Sequence, residues 1–95
     1  MSFLYESIIS VKFENVFVRV WIDQEKNDRG MNHCNPENLY KLLGRLVFDS
    51  VDKIHGYNHY QLNDIADTIL KKYSQINAIE IKEGDQGVVV YRDWT

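Results

Sequence analysis

The stretch GYNHYQLNDIADTILKKYSQINAIEIKEGDQGVVVYR, residues 56–92, decides how this chain folds. Its opening, Gly56-Tyr57-Asn58-His59, gathers turn formers and a titratable ring. Leu62, Ile65, Ala66, Ile69, Leu70 and Tyr73 then recur at the spacing of one helical face, which predicts a helix from Tyr60 to Tyr73. Ile79 and Ile81 alternate with Glu80 and Lys82, so a strand from Ile76 to Glu83 follows, with one buried side. Glu83 shares the parity of the two isoleucines, and an acid is therefore aimed towards the apolar face where the strand ends. A turn through Gly84-Asp85-Gln86-Gly87 leads to a last strand, Val88 to Asp93.

Working outward, Ile9, Val11 and Phe13 alternate with Ser10, Lys12 and Glu14, and Val16, Val18, Val20 and Ile22 alternate with Phe17, Arg19, Trp21 and Asp23. With Glu14-Asn15 as the turn, these are two strands of a hairpin. Asp23 to Asn35 holds charges and turn formers without periodicity and reads as the longest loop. Asn35-Pro36 is a helix start, a side-chain acceptor followed by a ring with its backbone angle already set. Leu39, Leu42, Leu43, Leu46, Val47, Val51 and Ile54 form the stripe of a helix ending near His55-Gly56.

The expected fold is thus α+β, in the order ββααββ: a four-stranded antiparallel sheet with two helices on one face, in a single domain over residues 1–95. Such a sheet has open edges and an uncovered face rich in aromatics, and joining copies edge to edge removes both problems. A net charge of -3 supplies no basic face for duplex nucleic acid. The lone Cys34 cannot form an internal disulfide, and with His33 and Met31 it makes only a weak soft-metal set. No apolar run reaches membrane-spanning length and no charged leader precedes one, so the expected location is the cytoplasm.

Several segments resemble the 6-pyruvoyltetrahydropterin and 6-carboxytetrahydropterin synthase family. Asn58-His59-Tyr60-Gln61-Leu62-Asn63-Asp64 is similar to that family's Asp-His-x-x-Leu-Asn-Asp segment. Ile81-Lys82-Glu83-Gly84 through Tyr91-Arg92 resembles its closing hairpin, Phe17 to Ile22 its second strand, and Asn35 to Leu42 its first helix opening. The resemblance implies the tunnelling fold, in which ββααββ subunits assemble into a barrel and hold pterin or purine rings between neighbours. It also implies a small-molecule partner, a homo-oligomer and Glu83 as the residue that grips the ring.

The chain departs from that family in its first hairpin. No histidine lies between Phe3 and Trp21, the segment carrying the nucleophilic cysteine is missing, and Asn58 stands where the family has an aspartate. The expectation is a protein without metal or other cofactor. Two readings stay open. In one, His59 and Lys82 move protons on a pterin side chain, Lys82 resembling the lysine that dihydroneopterin aldolase places after its third strand. In the other, the chain is a non-enzymatic binder: a nucleotide sponge, a regulator, or a shortened viral or accessory protein. Glu83, Asn58 and Trp21 are the candidate ligand contacts in both, with Trp21 stacking on a planar ring.

Overall fold

The computed structural model describes residues 6–49 and 56–92. Its strands are β1 (Glu6–Phe13), β2 (Val16–Asp23), β3 (Ile76–Glu83) and β4 (Gln86–Tyr91), and its helices are α1 (Gln24–Arg29), α2 (Pro36–Phe48) and α3 (His59–Lys72). The four strands form one antiparallel sheet in the order β1-β2-β3-β4. The fold is α+β, with the two long helices packed on one face.

Side-chain alternation explains why the sheet has two unlike faces. Val18 lies between Val11 and Ile81, and Val20 between Ile9 and Ile79, so these rows share the face that α2 and α3 cover. Val16, Val18, Val20, Ile79 and Ile81 are fully buried there, in one cluster with Leu39, Leu43, Leu62 and Ile69 from the helices. The opposite rows carry Phe17, Arg19 and Trp21 on β2 beside Lys82, Glu80 and Ala78 on β3.

Both helix starts follow from side-chain caps. The Asn35 side chain accepts the Asn38 N–H at 2.8 Å, with Pro36 leading the helix. Asn58 accepts the Gln61 N–H at 3.0 Å while the Gln61 side chain accepts the Asn58 N–H at 2.9 Å, which satisfies two donors that a helix start leaves open.

Three boundaries differ from the sequence reading. The turn between β3 and β4 is Gly84-Asp85 alone, because Glu83 pairs directly with Gln86; Gly84, at φ +59, supplies the left-handed conformation that a two-residue turn needs. The α2 helix is described through Phe48, with Asp49 as its cap. Val51, Ile54 and the expected end at His55 lie outside the described residues, as does Asp93 at the expected end of the last strand.

The third difference is the segment expected to be a loop, Asp23 to Asn35, which contains α1. Asp23 caps this helix by accepting the Lys26 N–H at 3.2 Å. The buried Asn27 carboxamide accepts from the Cys34 N–H at 2.8 Å and from the Gln75 side chain at 2.8 Å, and donates to the Cys34 carbonyl at 3.0 Å. Gln75 also donates to the Asn32 carbonyl at 2.8 Å. Gln75 comes from the turn before β3, so the order in the segment depends on a partner far away in the chain.

Candidate functional site

Glu83 ends β3 on the covered face, and its carboxylate lies against the chain entering α3. Gly56 makes this approach possible: a Cβ built there would stand 2.7 Å from Oε2 and 3.1 Å from Oε1 of Glu83, and Gly56 has φ +76. A glycine thus serves twice, tolerating the left-handed backbone and leaving room for the acid. Next to it, the buried Tyr57 donates its hydroxyl to the Val47 carbonyl at 3.2 Å, which ties this entry segment to α2.

The cations nearest to Glu83 in sequence are occupied elsewhere. Lys82 lies on the opposite face, 3.7 Å from Glu80, which is also 3.8 Å from Arg19. Arg92 donates to the Ile76 carbonyl at the start of β3 at 2.7 Å, and to those of Leu70 at 2.7 Å and Tyr73 at 3.0 Å, acceptors that the end of α3 leaves open. Among the described residues, Glu83 has no salt bridge and no side-chain hydrogen bond. This half-buried carboxylate, without a counter-charge among the described residues, lies against Gly56, two residues before the cap of α3, whose start is the positive end of the helix dipole, and it keeps capacity to accept N–H donors.

The other sequence-derived candidates divide into two groups. Asn58 and His59 sit at the start of α3, near Gly56 in the chain. Both are exposed, and the Asn58 carboxamide is committed to capping, so it does not orient His59. The His59 ring meets Tyr60 edge-on at 6.1 Å. Trp21 and Lys82 project from the other face of the sheet. Trp21 is the fifth residue beyond Val16, the partner of Glu83, so the two lie about 16 Å apart along the strands. Within one protomer, Glu83, Lys82 and Trp21 therefore do not line one pocket.

The sulfur-containing candidates also separate. Cys34 is buried, and burial pushes its thiol up from 9.0 to about 11, whereas Met31 and His33 are exposed. Burial and the neighbouring Cys34 likewise raise the Tyr73 hydroxyl above its ordinary value. Among the described residues, no three His, Cys, Asp or Glu side chains gather as metal ligands. No described helix is long and apolar enough to cross a membrane.

Two concave surfaces lie away from Glu83. An apolar hollow of about 590 Å³ runs beside α2, where Phe13 meets Tyr40 and Phe48 edge-on at 5.2 and 5.7 Å. A second, of about 320 Å³, opens on the uncovered face between Trp21 and Tyr91. Sequence reasoning named neither Gly56 as the neighbour of Glu83 nor Tyr91 as the partner of Trp21. The parity of Tyr91 with Val89 was available, but which β3 residue it flanks depends on the two-residue turn. The chain matches no family model, no curated protein and no solved structure.

Proposed function

We propose that this chain is a heterocycle-binding protein of tunnelling-fold type, which holds a pterin- or guanine-like ring at the boundary between identical subunits in the cytoplasm. The observation that carries the reading is Glu83: a carboxylate at the end of β3, turned to the covered face, lodged against Gly56 and free of cations among the described residues. Two parallel N–H groups, as on the amino and ring-nitrogen edge of such heterocycles, suit a carboxylate, and partial burial strengthens the bond. The outer edges of β1 and β4 have no strand beside them among the described residues, which supports joining edge to edge.

Binding is favoured over catalysis. Lys82 faces away from Glu83 and lies beside Glu80, and Asn58 caps α3 instead of orienting His59. An enzyme of this type works without metal and relies on His59 alone near the ligand.

The test is thermal unfolding with a panel of pterins and guanine nucleotides, together with solution mass. A ligand at a hundredfold excess over its Kd stabilises the folded state by about 2.7 kcal/mol. The expected result is an oligomer that at least one of these rings stabilises, with the shift lost in E83Q. A monomer, or a panel without any shift, overturns the reading, and turnover of a bound pterin restores the enzymatic alternative.

A further inference from the structure

We infer that the hollow on the uncovered face is a second site, which binds a flat organic cation of the guanidinium type between Trp21 and Tyr91. It is independent of Glu83, which lies on the other face at the other end of the sheet. Trp21 pairs with Ala78 and Ala78 with Tyr91, so the two aromatic residues flank a buried alanine in one row across three strands. Two inter-strand spacings separate their backbones by about 9.6 Å. A flat group in contact with a ring on each side needs about 7 Å. Ala78 is small enough to be the floor of the slot that results, and the hollow is bounded by Glu6 and Asn77 at its polar end.

The chemistry of this slot selects a cation. Aromatic faces attract positive charge, and a guanidinium stacks on them while presenting N–H donors at its rim. Glu6 supplies the acceptor: its Oε2 takes the Asn77 side-chain N–H at 2.9 Å, which fixes the carboxylate, and no described cation forms a salt bridge with it. The protein already uses this pairing along β2, where the Arg19 guanidinium lies 6.0 Å from the Trp21 ring centre and 5.6 Å from that of Phe17. The chain's net charge of -3 also favours a cationic occupant.

The same group is found on free guanidines and on arginine side chains of proteins, and the test separates these sources. Trp21 and Trp94 are the only tryptophans, so a W94F chain reports on Trp21 fluorescence alone. The titrants are methylguanidine, a short peptide with one arginine, the same peptide with citrulline, and guanosine. Saturable quenching by an arginine or guanidine titrant is expected, with affinity falling about tenfold or more for citrulline, which keeps the shape and loses the charge. E6Q, which retains an acceptor for Asn77, and Y91A are each expected to weaken binding by a similar factor with unchanged unfolding temperature. Binding of methylguanidine assigns a free cation, and binding of the arginine peptide alone assigns a protein partner. Equal affinity for citrulline or guanosine, absence of saturation, or full binding by both variants overturns the inference.

Discussion

Glu80 and Glu83 stand three residues apart on one strand and illustrate how differently the two faces of the sheet are used. Glu80, on the uncovered face, lies within 4 Å of both Arg19 and Lys82, so its charge is balanced where it stands. Glu83, on the covered face, ends the strand against a glycine with no cation among the described residues. Alternation along the strand assigns each acid its face, and the neighbouring strands and helices decide whether it is neutralised. The covered face is therefore committed to packing up to its last residue, where an acid is left with bonding capacity, and the uncovered face keeps aromatic and charged groups within reach of solvent.

The sharpest way to break this contrast is to truncate one residue on each face. Ile79→Ala removes a fully buried side chain and is expected to cost about 2–5 kcal/mol in urea unfolding. Val89→Ala, at a residue 48% exposed on the other face, is expected to stay within about 0.5 kcal/mol. Similar losses at both positions would mean that the uncovered face is packed as well.

A somewhat smaller effect is expected where order depends on a buried amide. Asn27→Ala strips partners from the Cys34 N–H and from Gln75, at about 1–3 kcal/mol, and amide exchange in α1 should accelerate. Unchanged protection there would show that α1 holds without its anchor.

Gly56 and Gly84 both have positive φ, but only Gly56 has a neighbour in the way. Gly84→Ala meets nothing within 4 Å and is expected to cost about 1 kcal/mol through backbone strain alone. Gly56→Ala carries the same strain and pushes aside only the flexible end of Glu83, so its stability cost is expected to be similar, about 1 kcal/mol. Its larger effect is expected on ligand binding, and a ligand-induced thermal shift left unchanged by Gly56→Ala would remove the acid from its place against Gly56.

The smallest expected effect is alkaline. The Cys34 thiol has a raised pKa in the folded protein, so the folded state keeps a proton that the unfolded chain releases above pH 9.0. The associated stability is complete below that pH and is lost as pH rises through about 11. Cys34→Ser should flatten that part of the stability curve, and alkylation of the native thiol should be slow at neutral pH.

Much of this division was legible in the sequence because it depends on local repetition. The alternation through Val16 to Ile22 and Ile79 to Glu83 assigned faces correctly, and Asn35-Pro36 for α2 and the apolar stripe expected from Tyr60 for α3 gave the helix starts within a residue, although the cap at Asn58 was not among the readings. Asn27 gave no local signal, since its role exists only once Gln75 is brought beside it. Gln86 and Gly87 look like turn formers and suggest a four-residue turn, whereas pairing with Glu83 and Lys82 draws both into β4. Trp21 and Lys82 lie on the face opposite Glu83 within one chain, as the same alternation provides. Their convergence requires a second subunit, and no single-chain pattern encodes that.

The most direct test of the central claim compares the two acids by calorimetric titration with whichever pterin or guanine ring stabilises the protein. E83Q is expected to abolish binding, because the amide offers one acceptor where two are needed, while E80Q leaves the affinity unchanged. Equal binding by E83Q and the unaltered protein would contradict the assignment of Glu83 as the anchor.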